Sequence, residues 1–250
     1  MQFGICPLSI VPIRYLPDDT AEMMSQLLYG DIFKIKEERK DWVRIKVSFD
    51  SLEGWVSKKQ FKLISEESFN FFNKEDSIEL ATDFISHIIT NNNIFLPIPL
   101  GSRVDSAKLL DHSHEGNSNK PLKDKANLVK DALIYLNTPY LWGGKTVLGV
   151  DCSGFTQMIY RLSGFNLYKN IELQATQGEA LSFIEESEPG DLAFFDNKEG
   201  IINHVGIILK DNYIIHSHGH VRIDRIDHTG IFNTEEKIYT HKLRVIKKIV

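Results

Sequence analysis

The chain has 250 residues, of which 42% are hydrophobic, so it can bury more than one core, and a prior of roughly 100–200 residues per domain favours two or more domains. Its 29 basic and 34 acidic residues include no basic tract, which argues against a nucleic-acid partner. No apolar run approaches the roughly 20 residues that cross a bilayer, so no membrane insertion is expected.

The amino terminus and the two cysteines bear on location and redox chemistry. Residues 1–17 have no basic stretch before their apolar residues and contain Pro7 and Pro12, so they do not resemble a signal peptide. We therefore expect a cytoplasmic chain, or a cell-envelope protein if a leader has been removed. Cys6 and Cys152 form no Cys-x-x-Cys motif, so each is either a packed thiol, the commoner case, or a nucleophile.

The first 64 residues have the pattern of a small all-β domain. Apolar residues alternate in short segments, which predicts strands at 10–14, 31–35, 42–47 and 54–56. Strands this short and evenly spaced favour a small β-barrel over residues 1–64.

Residues 65–122 predict a second small β and helical region that ends in a linker. Residues 66–73 are compatible with a short helix, and apolar spacing predicts a helix at 77–90. Two prolines in 94–100 indicate an edge strand. The polar stretch 111–125 is predicted to be a loop or linker into the last domain.

Residues 123–250 read as helices followed by an antiparallel meander. Helical spacing predicts helices at 128–136 and 152–162. Strand-like patterns follow at 191–195, 204–209, 213–217, 222–226 and 243–250. Helices first and strands afterwards indicate an α+β domain.

Cys152 is predicted to lie at the start of a helix. Asp151 is a suitable N-cap residue, and Gly143 and Gly144 allow a tight approach of the chain. The unpaired N–H groups and the dipole at a helix amino terminus favour a thiolate, and the same groups can stabilise an oxyanion. The sequence therefore makes Cys152 the candidate nucleophile.

Two of the nine histidines are placed to serve that nucleophile. His204 opens an alternating strand, and His216 lies in the strand that returns. A turn centred on Asp211 places Gly206 opposite His216, so the two histidines become neighbours on one face of the hairpin. That arrangement suits a general base and the residue that orients it.

Metal binding is the alternative interpretation of this histidine-rich segment. His216, His218 and His220 alternate, so three imidazoles on one face of a strand could bind zinc. Ser217 and Gly219 between them suggest instead a strand that ends in a turn. We therefore predict a cysteine–histidine site without metal or cofactor.

Five ordered motifs resemble those of the NlpC-type cell-wall peptidases. They are Tyr-Leu-Trp-Gly-Gly at 140–144, Asp-Cys-Ser-Gly-Phe at 151–155, Pro-Gly-Asp-Leu-Ala-Phe-Phe at 189–195, Asn-His-Val-Gly-Ile at 203–207 and Ile-His-Ser at 215–217. The resemblance covers about 123–250 and implies a papain-like domain whose triad is Cys152, His204 and His216. Segments 5–13 and 21–31 resemble members with SH3-like barrels. The implied fold is α+β, a papain-like domain preceded by a small all-β barrel.

The resemblance also implies a substrate and further roles. Members of this type hydrolyse murein peptides after γ-D-glutamate and release L-Ala-γ-D-Glu. Tyr140 would help hold the oxyanion, while Asp151 and Glu22 would bind the free amine of the terminal L-alanine. Ser153 would contact the D-glutamate carboxylate, and Trp55 would contribute to substrate binding. Without the resemblance, Asp151 is a helix N-cap and Glu22 a solvated turn residue.

Two positions depart from the family pattern, and other functions remain open. Leu52 stands where an aromatic residue often lines the amine pocket, and Glu172 stands where a small hydroxyl residue is expected. A carboxylate at Glu172 would repel the D-glutamate carboxylate.

The alternatives to a murein peptidase are a peptidoglycan-binding protein with an inactive catalytic domain and an acyltransferase on the same scaffold.

Overall fold

The computed structural model describes residues 2–74 and 78–250, which form two compact units. The first contains the described residues up to Leu122 together with Trp142–Val147. The second contains Lys123–Leu141 and Leu148–Val250.

The first unit contains a seven-stranded antiparallel sheet. Its strands are β1 Gln2–Ile5, β2 Ile10–Arg14, β3 Met23–Leu28, β4 Ile32–Glu38, β5 Trp42–Val47, β6 Glu53–Ser57 and β7 Lys62–Ile64, in the order β3-β2-β6-β5-β4-β1-β7. Alternate residues point inward because side chains along a strand alternate between faces. They form a core that includes Val11, Leu27, Phe33, Ile45 and Val56. The predicted all-β amino-terminal region is confirmed.

The rest of the first unit consists of short elements. They are α1 Glu66–Phe72, β8 Leu80–Ala81, β9 Ile85–Ile89, β10 Phe95–Pro99, β11 Ser113–Glu115, β12 Ser118–Asn119 and β13 Lys145–Thr146. The order β10-β9-β11 puts β10 at an edge, as its prolines predict. Phe3 and Tyr29 pack in one core with Phe69, Ile88 and Ile98. The division into domains 1–64, 65–122 and 123–250 stays a prediction.

The predicted helix at 77–90 is wrong for its described residues, 78–90; Ser77 lies outside them. Ser86 and Ile88 are buried, whereas Ile85 and His87 are exposed, so the burial pattern has the period of a strand. The segment is rich in β-branched isoleucine, which favours strands. Its apolar positions fit both periods, and pairing with β10 and β11 decides the outcome.

The predicted linker at 111–125 is also wrong in part, because β11 and β12 lie within it. The His114 ring lies 3.0 Å from Ser86 Oγ, and Asp83 accepts hydrogen bonds from the Asn117 backbone and side chain. Polar contacts and backbone pairing hold these strands, so they carry no apolar pattern that sequence reasoning could detect.

The second unit contains three helices and a closed sheet. The helices are α2 Ala126–Ile134, α3 Cys152–Leu162 and α4 Ile171–Gln174. The strands are β14 Gly149–Val150, β15 Glu179–Leu181, β16 Leu192–Asp196, β17 Ile202–Ile208, β18 Tyr213–His218, β19 His220–Ile226, β20 Gly230–Asn233 and β21 Ile238–Lys248. The sheet order is β15-β21-β16-β17-β18-β19-β20, and β20 also pairs with β21, so β16 to β21 close on themselves.

Apolar side chains fill the interior of this closed sheet, among them Phe195, Ile208, Ile214, Ile231 and Ile246. The inward face of α3 is buried through Phe155, Met158 and Ile159, as its spacing predicts. The α+β class is confirmed. Among the described residues, no helix is long and apolar enough to cross a membrane.

Candidate active site

Cys152 is the first residue of α3. Asp151 caps the helix, since its Oδ1 accepts a hydrogen bond from the Gly154 N–H at 2.6 Å. The thiol forms hydrogen bonds with the backbone of Ser153 and of Val205, which lies in β17. Helix α3 packs against β17, the strand that carries His204. Cys152 is 8% exposed.

A lysine that sequence reasoning missed sits beside this helix start. The buried Lys169 ammonium donates to both carboxylate oxygens of Asp151, at 2.8 and 2.7 Å, and to Ser153 Oγ at 3.0 Å. Asp151 and Ser153 are the residues for which substrate contacts were predicted. In this structure both residues already accept hydrogen bonds from the Lys169 ammonium.

The predicted register of the β17–β18 hairpin is confirmed. Gly206 pairs with His216 and Ile208 with Ile214, which centres the turn on Asp211. The ring nitrogens His204 Nε2 and His216 Nδ1 lie 2.8 Å apart. Both side chains are buried, so the hydrogen bond that orients His204 is shielded from water.

The hydrogen-bonded chain continues to a residue that sequence reasoning missed. Asp224 of β19 places its Oδ2 at 3.0 Å from His216 Nε2. Arg222 donates to the same carboxylate from Nε at 2.7 Å and from Nη2 at 3.0 Å. The available signal was the alternation of Arg222 and Asp224 in the strand after His216, since residues two apart share a face of a strand.

Two more histidines surround the pair, and one group of ring nitrogens could hold a metal ion. The His241 ring stacks on His204 at 4.0 Å between centroids, and His218 lies 4.9 Å from His241. The ring nitrogens of His204, His216 and His241 lie within 4.8 Å of one another. The three histidines considered as a zinc site from the sequence, His216, His218 and His220, do not lie in one strand, because His220 begins β19 after the turn at Gly219.

The surroundings of Cys152, His204 and His216 favour the neutral form of each side chain. Burial and the nearby Asp151 charge raise the pKa of the Cys152 thiol to about 11, although Lys169 and the backbone hydrogen bonds oppose this rise. Burial, followed by the neighbouring histidines, lowers the pKa of His204 well below its usual value. Burial also lowers the pKa of His216. A neutral imidazole can accept the proton of a neutral thiol, which is what a general base must do.

Tyr140 lies in the same unit as the nucleophile. Its N–H donates to the Gly219 carbonyl at 2.9 Å, and it bridges to Val150, two residues before Cys152. Burial raises the pKa of its hydroxyl to about 12, and the charges of Cys152 and Asp151 contribute. The hydroxyl therefore stays protonated and can donate, as an oxyanion contact requires. Its role stays a prediction.

The two substrate-binding residues predicted in the barrel lie in the first unit. Glu22 Oε1 accepts a hydrogen bond from the Trp142 indole Nε1 at 2.7 Å. Trp55 is buried in β6, and the Arg39 guanidinium lies 4.6 Å from its ring centroid. The contribution of Glu22 and Trp55 to substrate binding stays a prediction.

The two positions that depart from the family pattern differ in exposure. Leu52 is partly buried and packs against the barrel core. Glu172 is exposed in the first turn of α4, while Gln174 of the same turn is buried and accepts a hydrogen bond from Thr156 Oγ1 at 2.8 Å. The carboxylate of Glu172 thus points to solvent, and the effect of both residues on specificity stays a prediction.

Comparison with known families locates two domains in the sequence. The model of the NlpC/P60 family matches residues 137–241. The model of the bacterial dipeptidyl-peptidase SH3 domain matches residues 13–61. The first match contains Cys152, His204, His216 and Asp224, and the second contains Glu22 and Trp55.

Curated relatives match most of the chain at modest identity. A γ-D-glutamyl-L-lysine dipeptidyl-peptidase of Bacillus subtilis is 25% identical over 217 residues, 78% of this chain and 72% of the relative. Dipeptidyl-peptidase 6 of Lysinibacillus sphaericus is 25% identical over 236 residues, 80% of this chain and 82% of the relative. An NlpC/P60 family crystal structure from Bacillus cereus has the same fold, with a TM-score of 0.80 over 99% of both chains at 18% identity.

Proposed function

Because the chain carries an NlpC/P60 domain behind a bacterial dipeptidyl-peptidase SH3 domain, we propose that it hydrolyses murein peptides as a cysteine peptidase. We assign to it the γ-D-glutamyl–L-diamino acid bond, with release of L-Ala-γ-D-Glu, as the names of the curated relatives suggest. The observation that carries the proposal is the position of Cys152 at the start of α3, a helix that packs against β17, where His204 lies hydrogen-bonded to His216.

The arrangement supports acyl transfer through a thioester. His204 takes the thiol proton as the sulfur of Cys152 attacks the γ-carbonyl carbon of D-glutamate. The first-turn N–H groups of α3 and the Tyr140 hydroxyl would stabilise the oxyanion. His204 then returns the proton to the departing amine of the diamino acid, and water, activated by the same imidazole, hydrolyses the thioester.

The proposal also specifies how the amino end of the substrate is recognised. We propose a free L-alanine amine, bound by Asp151 and Glu22. Within its own unit, Asp151 already accepts hydrogen bonds from the Lys169 ammonium, and within the other unit Glu22 accepts one from the Trp142 indole, so each carboxylate would share its oxygens with the amine. The negative charges of these two carboxylates would select substrates with a free, positively charged amino terminus.

The two cysteines provide a matched test. Cys152→Ala should lower the release of L-Ala-γ-D-Glu from L-Ala-γ-D-Glu-L-Lys by at least about 1000-fold, because no nucleophile remains. Cys6→Ala should keep wild-type turnover, since Cys6 is a buried thiol of the first unit. Mass spectrometry of the products checks both. Equal turnover by wild type and Cys152→Ala would exclude the proposal.

The same assay tests the amino end of the substrate. N-acetylation of the L-alanine should lower turnover by about 10- to 100-fold, because it removes the charge that Asp151 and Glu22 would bind. Equal turnover of the free and acetylated tripeptides would contradict recognition of the amine while leaving the peptidase assignment intact. Binding of murein sacculi without thiol-dependent hydrolysis would instead favour a binding protein.

A further inference from the structure

A buried carboxylate lies at the far end of the histidine pair, and no role has been assigned to it. We propose that Asp224 is a positioning residue: it fixes the proton of His216 on Nε2, and through His216 it leaves Nδ1 of His204 free to accept the thiol proton. This inference rests on the proposed peptidase function for its effect on turnover, but not for its structural content.

The hydrogen bonds determine the position of each proton. An ionised carboxylate only accepts, so the contact of 3.0 Å between Asp224 Oδ2 and His216 Nε2 requires a proton on that nitrogen. Neutral His216 then has an unprotonated Nδ1, which accepts from His204 Nε2 at 2.8 Å. A neutral His204 protonated on Nε2 has its lone pair on Nδ1.

Arg222 keeps the carboxylate ionised. Burial raises the pKa of Asp224, but hydrogen bonds from His216 and Arg222 and their charges outweigh burial and hold that pKa below its usual value. The two contacts from one guanidinium form a bidentate pair, the strongest geometry for an arginine and a carboxylate. Arg222 also reaches Glu235 Oε2 at 3.1 Å, where solvent is accessible.

The charge of Asp224 matters most when His204 is protonated. The imidazolium donates from Nε2 to His216, which in turn donates to Asp224, so the positive charge faces an acceptor chain that ends in a negative group. Besides Asp224 and its partner Arg222, the titratable groups around His216 are histidines. The groups facing it are His204 from β17, His218 from β18, Arg222 and Asp224 from β19, and His241 from β21.

A purely structural ion pair between Arg222 and Asp224 is the competing explanation. Such a pair would stabilise β19 without determining which nitrogen of His216 carries the proton. The tautomers of the two histidines therefore separate the explanations, and they can be read without any substrate.

The direct test is nitrogen-15 NMR of the histidine rings in the wild-type protein at pH 7.5. We expect His216 and His204 both to be protonated on Nε2, with unprotonated Nδ1. Protonation of His216 on Nδ1 would overturn the inference whatever the substrate proves to be. Resonances are assigned with His204→Gln and His216→Gln variants.

The variant test uses two buried aspartates of the same unit. Asp224→Asn should lower kcat on L-Ala-γ-D-Glu-L-Lys by about 10- to 1000-fold with KM changed less than about threefold, because it removes the charge that stabilises the imidazolium. Asp191→Asn is the control: Asp191 is equally buried and ion-paired, with Lys125 Nζ at 2.8 Å. It should lower stability but leave kcat and the tautomers unchanged.

The outcomes distinguish this inference from the proposed function. If the wild type cleaves no murein peptide but shows the expected tautomers, the proposed function fails and the positioning role stands. If Asp224→Asn keeps wild-type kcat, or if Asp191→Asn lowers kcat equally, the positioning role fails while the peptidase assignment stands. Circular dichroism establishes that each variant is folded.

Discussion

At the scale of single residues, the reactivity of Cys152 depends on two opposed charges beside the start of α3. Burial raises the pKa of the thiol most, the Asp151 carboxylate raises it further, and the Lys169 ammonium lowers it. The ammonium donates to both oxygens of this carboxylate, so its positive charge opposes the effect of Asp151 on the thiol. The lysine thus limits the rise in the thiol pKa that the aspartate N-cap causes.

Removal of the Lys169 charge should make Cys152 less reactive. In Lys169→Met the uncompensated Asp151 charge raises the thiol pKa further, so alkylation by iodoacetamide at pH 8 should slow by about 5- to 50-fold. The measurement is the rate of Cys152 modification against pH in a Cys6→Ala background. Lys169→Arg should keep a near wild-type rate because it keeps the charge.

The control for this change lies in another ion pair of the same unit. Lys125 pairs with Asp191 and Glu188, so Lys125→Met should leave the alkylation rate of Cys152 unchanged. A wild-type rate in Lys169→Met, or an equal loss in Lys125→Met, would contradict a specific effect of Lys169.

The residues that sequence reasoning identified differ in kind from those it missed. Cys152, His204 and His216 lie in ordered motifs whose local setting, a helix start or a hairpin, can be read from the chain. Lys169 and Asp224 become meaningful only through partners that the fold brings to them. Lys169 has no local signature, and the alternation of Arg222 with Asp224 in a strand fits a solvated ion pair equally well.

At the scale of elements, the β17–β18 hairpin sets the distance between the two histidines. The turn contains Asp211 and Asn212, both with positive φ, a conformation that these two residue types tolerate best after glycine. Its position fixes which residues oppose each other, and a shift of one residue would turn one histidine to the other face. Because the turn residues and the alternation agree, the register could be predicted.

Gly206 should be required for this hairpin. A Cβ at this position would lie 2.7 Å from Ile214 Cδ1 and 2.9 Å from His216 Cβ, so Gly206→Ala must displace His216 or its strand. We expect a loss of about 1–3 kcal/mol in stability and at least a tenfold loss of kcat. Urea unfolding and steady-state kinetics measure the two effects.

Gly200→Ala separates a local effect on His216 from a general loss of stability. Gly200 has a φ of +77°, and a Cβ at this position would have no atom within 4 Å, so alanine there is strained without a clash. It should lower stability but leave kcat unchanged. An unchanged kcat in Gly206→Ala would mean that the spacing of the hairpin does not limit the reaction.

Element prediction failed where two periods compete or where no apolar pattern exists. Ile85, Ile88 and Ile89 fit a helical face as well as a strand, and only their pairing with β10 and β11 resolves the choice. The helix at Cys152–Leu162 succeeded because its N-cap, its apolar face and the glycine after it agree. Consistency among local signals is what made an element predictable.

At the scale of the whole molecule, the sequence predicted the all-β start and the α+β remainder, but not the closure of the second sheet. Closure depends on β20, a strand of four residues, which pairs on one side with β19 and on the other with β21. Such pairing is long-range in the chain, so neither its strand length nor its partners leave a periodic signal. The core in which Phe3 packs with Phe69 was not predicted, for the same reason.

The buried histidines should make the second unit sensitive to acid. Burial lowers the pKa of His204, His216 and His241 in the folded protein, that of His241 to about 3. Neighbouring histidines add to this effect at His204 and His241, whereas Asp224 opposes it at His216. In the unfolded chain these groups titrate near a pKa of about 6.5, so below that pH the unfolded chain binds more protons than the folded one. Stability therefore falls as the pH drops from about 6.5, by up to about 1.4 kcal/mol per pH unit for each histidine.

Hydrogen exchange measured by mass spectrometry can follow this loss separately in the two units. Between pH 7.5 and 5, after correction for intrinsic exchange, protection in β17 and β18 should fall more steeply than in β4 and β5. The first-unit histidines with a lowered pKa, His112 and His114, are only partly buried.

His241→Phe should reduce the slope of stability against pH for the second unit by up to about 1.4 kcal/mol per pH unit, because one proton fewer is taken up on unfolding. His228→Phe, at an exposed position of the same unit, should leave the slope unchanged, and equal slopes in all three proteins would show that the buried histidines do not control acid stability.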